Sequence, residues 1–567
     1  MLGNLGHGYR SVSLRRSIAA AGMMALGAGA ACAGGGDWVV EPVVRGGALH
    51  GGPNGMAFDH DGKFLVGSVL GQTIFQVDTK TGAADVWVGP SAGMSDDMAV
   101  GPDGTVYWTC LLLGEIHARK GDGPVRVVAS GLPGVDSIAF HPDGRLFESQ
   151  DFVADALAEI DPSGVRPPRK VMENLDTRLN GAVGGLNGFQ FGKDGRLYGP
   201  LWNKGQLIAI NVDTQAVEVV AEGLKVPASV RLDSHGNLWS VDYARGELVR
   251  VDPKTRVKTI AVARPNLKPV LDNLAIDKQD RIYIANSADN SIQVYEGYDP
   301  ASGAGGTLRT LTAGHLWVPG GLAMAKGPGG DQLYLADFFA FRRINPGDGR
   351  ITDVALMQAD PLIYPTAVTV NDKTVVLSSW FGGALQVIDR ATETTVKVLT
   401  GFTAPQDALQ LEDGSFVVAE LGTGKIVKVS ADGEKRSALA EGLGAPVGLA
   451  YDGKSLFVTE FGAGAVTRVD AASGAKTVVA KGLAGPEGIA IARDGSLIVA
   501  ETGKKRIVSI DAESAAITEI AGGLKFGDPG PAGLPPSYIA TGVAIGSDGA
   551  IYFDSEVEGA LYRIVKR

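Results

Sequence analysis

Residues 54–68 read NGMAFDHDGKFLVGS, and the same grammar returns as DSIAFHPDGRLFESQ (136–150), EGIAIARDGSLIVAET (487–502) and TGVAIGSDGAIYFDS (541–555). Each copy holds a short apolar strand, a turn with Asp-Gly or a close variant, and a second strand rich in β-branched and aromatic residues. A polar hairpin, a third strand and a fourth follow before the next Gly and Pro. The unit recurs about twelve times, at the spacing of roughly 40–45 residues that marks β-propeller blades. The first strand of such a blade lines the central channel, so the residues just before it set what the channel binds.

Those first strands start near Asn54, Asp96, Asp136, Asn187, Ala228 and Asp272, then near Gly320, Thr366, Asp407, Val447, Glu487 and Thr541. The count is six and six, and a seven-plus-five division would leave one closure unexplained. Two fourth-strand candidates stand alone: WVVEPVV (38–44), which has no blade before it, and TLRTLTAG (307–314), which follows the glycine-rich YDPASGAGG (298–306). The sequence therefore predicts an all-β chain of two tandem six-bladed β-propellers, with WVVEPVV completing blade six and TLRTLTAG completing blade twelve. The expected domains are 38–297 and 307–567, joined by a Gly-rich linker over 298–306.

A chain of 567 residues with 80 glycines, far above ordinary usage, is turn-rich. Its net charge of −11, with no basic stripe, argues against nucleic acid as a partner. The only cysteines, Cys32 and Cys110, form neither a disulfide framework nor a haem motif. Residues 1–33 place Arg10, Arg15 and Arg16 before the apolar SIAAAGMMALGAGAACA, which reads as an export signal. Two outcomes stay open, cleavage after Ala31-Cys32-Ala33 or lipidation of Cys32, and both predict a periplasmic or extracellular protein, in the second case lipid-tethered. No later apolar run is long enough to span a bilayer.

Five of the six positions opening the first-half inner strands are Asn or Asp, with Asp97 and Asn273 one residue further on. Radial symmetry brings them toward one axis, where carboxylates and amide carbonyls are hard oxygen donors suited to calcium rather than zinc. Without a cation such carboxylates would repel one another. A single Asn or Asp there commonly caps a turn, so the signal lies in the coincidence. His50, in the loop before Asn54, adds a candidate base, as do Asp97 and Asp136. Cys110 and His117 stand close enough in one hairpin to suggest a thiol–imidazole pair.

The stretches PNGMAFDHDGK (53–63), SDDMAVGPDG (95–104), LNGFQFGKDG (186–195) and LDNLAIDKQDRIYIAN (271–286) resemble inner strands of the senescence-marker-protein/gluconolactonase family and of the related paraoxonases and strictosidine-synthase-like proteins. The resemblance covers residues 45–296. It implies a divalent cation, most readily Ca2+, in the throat of a six-bladed propeller, polarising a lactone or ester carbonyl. It assigns Asn54, Asp96, Asn187 and Asp272 as metal ligands with Asn273 or Asp136 beside them. The chain departs from the family in placing Asn54 where a first-blade glutamate is usual.

The second half carries no such ring. Its second strands end in acids, Asp337, Glu420, Glu460 and Glu501, and stretches such as LIVAETGKKRIVSI (497–510) resemble NHL-type repeats, in which the acid braces a turn. Phe338, Trp380 and Phe461 follow that position, as Trp202 and Tyr243 do in the first half, either as a rim for a flat ligand or as packing. The expectation is an exported metal-dependent hydrolase of lactones or related esters acting on a small-molecule substrate, its second propeller shaping the cleft or binding a protein partner. The alternatives are a non-catalytic scaffold or ligand-binding pair of the cell envelope, and a propeller lyase.

Overall fold

The computed structural model describes residues 38–173, 185–527, 530, 534 and 537–567. The expected export signal over 1–33, with Cys32, lies outside them. The described chain is all-β apart from one short 3-10 turn (Thr502–Lys504), and no helix in it is long and apolar enough to cross a membrane. Its strands form twelve four-stranded antiparallel sheets, each a meander from an inner to an outer strand, as in a β-propeller.

Local chemistry explains the meanders. In the first sheet Asp59 opens the turn, its Oδ1 accepting from the amides of Asp61 (2.9 Å) and Lys63 (2.8 Å). Gly62 then takes a φ of +84°, which a side chain would oppose. The third-to-fourth hairpin repeats the device: Asp78 Oδ1 accepts from Lys80 (2.9 Å) and Thr81 (2.7 Å), as Asp470 does from Ala472 and Ser473.

The inner strands are Met56–Phe58, Met98–Val100, Val135–Phe140, Gln190–Phe191, Pro227–Leu232 and Leu271–Ile276 in the first half. Neighbours in this series lie side by side, and the first lies against the sixth. In the second half Leu322–Gly327, Ala367–Val370, Pro405–Gln410, Pro446–Tyr451, Pro486–Ile491 and Val543–Ile545 do the same, the seventh lying against the twelfth. These second-half strands surround a channel cavity of 350 Å³.

The two lone strands pair opposite to expectation. Trp38–Val44 joins the twelfth sheet, in register with Ala560–Lys566 and fastened by Glu41 to Arg563 (2.7 Å). Thr307–Thr312 joins the sixth, paired with Ser291–Glu296. Residues 298–306 are therefore no linker between halves but a hairpin loop inside one sheet. Asp299 closes it, its carbonyl accepting from Gly303 (2.6 Å), while the Tyr295 hydroxyl donates to Gly303 O (2.9 Å). A local hairpin closes at little entropic expense, which leaves the N-terminal strand for the remaining open edge.

Apolar side chains pack between neighbouring sheets, and two clusters bridge the halves. One sets Val226, Trp239, Tyr243 and Leu271 against Ala340, Leu356 and Met357. The other joins Trp317, Phe338, Trp380 and Tyr538, with Leu70 packed on it. Gly52 is obligatory here, since a Cβ would lie 1.4 Å from Trp317 Nε1. Asn290 ties the seam, accepting from the Gly52 amide (2.7 Å) and donating to Trp317 O (3.0 Å).

Candidate functional site

Asn54, Asp96, Asp136, Asn187 and Asp272 each precede or open an inner strand, which brings residues up to 218 positions apart to one place. Asn54 Nδ2 donates to Asp272 Oδ2 (2.5 Å), and Asn54 Oδ1 accepts from the Val69 amide (3.0 Å). Across from them Asn187 Nδ2 donates to Asp136 Oδ2 (3.3 Å), whose Oδ1 accepts from Ser137 Oγ (2.8 Å). Burial, then Asp272 and Asp97, hold the Asp96 carboxyl well above the usual carboxylate range, opposed by a hydrogen bond with Asp136. Asp136 is raised by burial and then by Asp96 and Asp151. Asp272 is pushed up to about 6 by burial, against its bond from Asn54. Like charges crowd here, and each acid keeps its proton longer than it would in water.

Asp97 and Asn273 belong to a different arrangement. Asp97 Oδ1 pairs with Arg231 (2.7 Å) and also accepts from the Met98 amide (2.9 Å), and Asn273 hydrogen-bonds the same carboxylate. The ion pair joins the second and fifth sheets and offsets the charge of Asp97. The His50 ring lies edge-on to Phe75 of the first sheet's third strand at 5.1 Å, and its carbonyl accepts from Ser68 Oγ (2.9 Å). The thiol–imidazole pair is not formed: His117 Nε2 contacts Glu115 (2.7 Å), and burial pushes the Cys110 thiol up.

Sequence reasoning missed Asp151. It follows the second strand of the third sheet (Leu146–Gln150), where Trp202 and Tyr243 follow those of the fourth and fifth. The signal was available, because Asp151 occupies the rim position that is aromatic in those copies. It is 1% exposed, and its Oδ2 has no hydrogen-bond partner among the described residues. Burial, then the bond from Phe152 against it, set this carboxyl at about 6.

The donors are all oxygen-bearing and suit a hard cation, and no Lys or Arg side chain pairs with Asp96, Asp136 or Asp272 in the salt bridges of the described residues. Both amides, however, turn N–H toward a carboxylate, so their carbonyls would have to rotate inward to ligate. No group of three or more His, Cys, Asp or Glu among the described residues is placed as a metal-binding set.

No family model matches the chain, and comparison with curated proteins finds no match. Among solved structures, a gluconolactonase from Xanthomonas campestris is 15% identical, covering 44% of this chain and 86% of its own at a TM-score of 0.35. The extracellular domain of a putative one component system from B. thetaiotaomicron is 11% identical over 93% of this chain and 82% of its own, with a TM-score of 0.31. Virginiamycin B lyase from Staphylococcus aureus is 14% identical over 61% and 96%, with a TM-score of 0.24. Likenesses this slight carry no argument about chemistry.

The second-half acids are braces. Asp337 accepts from the amides of Trp317 (3.0 Å) and Val318 (2.7 Å) and from Arg342 Nε (2.8 Å). Glu420, Glu460 and Glu501 accept from the amides of Thr403, Gly444 and Ala484, each in the loop entering the same sheet. The aromatic rims pack the halves together: Trp202 lies 5.0 Å from Tyr243, and Tyr243 6.3 Å from Phe339.

Proposed function

We propose that the sheets close as two six-bladed propellers, the first inserted between the N-terminal strand and the remainder of the second, and that the first is a divalent-cation-dependent hydrolase of lactones or related esters. The contacts of the first inner strand with the sixth, and of the seventh with the twelfth, support the two rings. The observation that carries the chemistry is the convergence of Asp136, which is buried, with the half-buried Asp96 and Asp272, without a side-chain cation in the salt bridges of the described residues. Asp96, Asp272, Asn54 and Asn187 would hold calcium, with Asp136 beside them and Asn273 behind Asp97. A bound calcium would supply Lewis acidity to a carbonyl or to its own water.

The chain's own residues do the rest. Asn54 orients Asp272, and Asn187 orients Asp136. The Arg231–Asp97 pair joins the second and fifth sheets, and with Asp97 so engaged proton transfer falls to Asp136 or to Asp151, whose free Oδ2 can accept a proton from water near neutral pH. His50, held on Phe75, is the remaining candidate. The basic and apolar run over 1–33 supports export. The inward amide N–H groups of Asn54 and Asn187 favour a second reading, a non-catalytic ligand-binding pair. An assay of lactones and aryl and alkyl esters with calcium and with chelator separates the two. The hydrolase reading expects turnover that chelation abolishes and Asp136→Asn or Asp151→Asn lowers at least tenfold; no calcium-dependent turnover supports the second.

A further inference from the structure

The mouth of the first channel meets the second half. Asp151, Trp202 and Tyr243 occupy equivalent rim positions in three consecutive sheets, and Phe339 and Tyr364 of the second half pack on the cluster that holds Tyr243 and Leu271, the neighbour of Asp272. The Tyr364 ring is wedged against Phe381 (4.9 Å), Phe338 (5.5 Å) and Phe339 (6.3 Å). Its backbone is strained, with a φ of +34° that a bulky residue rarely adopts. Two buried polar atoms at this junction have no hydrogen-bond partner among the described residues, the Tyr243 hydroxyl and Asp151 Oδ2. Burial and then Asp272 raise the Tyr243 phenol, while burial and then Asp151 raise that of Tyr364.

We infer that the candidate site is shared, the second half closing the mouth of the first channel with Tyr364 as a positioning residue over the acids. The orphaned hydroxyl and carboxylate oxygen then serve a ligand: a divalent cation below, and an oxygen-bearing molecule whose apolar face lies between Tyr243 and Tyr364. This rests on the cation-site reading above. It also gives a purpose to the strained loop that sets the Tyr364 ring among Phe338, Phe339 and Phe381.

Terbium(III), a luminescent calcium surrogate, tests it on the full chain. In the wild type, luminescence lifetimes in H2O and D2O should count about two coordinated waters, as a closed mouth requires, where an open one would leave about four of the six to eight positions to water. Tyr364→Leu should release bound terbium to excess chelator about tenfold faster, the effect of losing one aromatic contact from the barrier. Tyr364→Phe should release it at the wild-type rate, as should Phe461→Leu, at a rim aromatic of the tenth sheet packed against Gly485. A wild-type rate in Tyr364→Leu, or about four waters in the wild type, overturns the shared site and leaves the cation reading standing. Absence of bound terbium under direct excitation overturns both. Where Tyr364→Leu fails to fold, the wild-type water count decides.

Discussion

Asp96 and Asp97 are adjacent in sequence and differ in environment. Asp97 is 1% exposed and ionically paired with Arg231, whereas the Asp96 carboxyl is influenced by the acids Asp272, Asp97, Asp136 and Asp151. Removing one partner of a buried pair strands the other charge, so Arg231→Ala should lower unfolding stability by about 3–5 kcal/mol. Adding Asp97→Asn should restore part of the loss; urea titration of the single and double variants checks this. The convergence of Asn54, Asp96, Asp136, Asn187 and Asp272 was legible because each opens an inner strand. The partition of Asp97 and Asn273 into the Arg231 network was not, because Arg231 lies 134 residues away and an arginine within a strand announces no partner. Asp151 went unread because its repeat position was recognised only through aromatic occupants.

At the scale of elements, the strand Trp38–Val44 supplies the outer edge of the twelfth sheet, while the sixth is complete without it. Deleting residues 38–44 bares the edge of Ala560–Lys566, and calorimetry should show the transition of the second half lowered by about 10 °C, as a loss of several kcal/mol would do in a domain of this size. The first half should keep its own transition, whereas tandem closure would predict that half to suffer. Repeat, turn and strand were all legible from Asp-Gly signals and alternation. The closure was not, since WVVEPVV and TLRTLTAG offer equivalent hydrogen-bonding edges and only three-dimensional proximity chooses between them.

For the whole molecule, buried acids set the response to pH. Burial above all raises Glu148 to about 8 and Asp407 and Glu487 to about 7. Between about pH 5 and pH 8 the folded chain therefore binds more protons than the unfolded one, so stability falls as pH rises. The carboxyls of Asp103 and Asp143, held at about 2, titrate below this window and do not offset it. Denaturant unfolding in chelator should show the protein less stable at pH 8 than at pH 5 by several kcal/mol, and Glu148→Gln should flatten the slope. A stability that rises over this range would contradict the burial of these acids in the protonated form.

The cation site itself is tested most directly by calorimetric titration of calcium into the full chain at neutral pH, wild type beside Asp272→Ala. The account predicts one calcium per wild-type chain and an affinity at least about 100-fold weaker in the variant, a ligand's loss exceeding that of an outer partner. Absence of binding by the wild type, or equal affinity in the two, would contradict it.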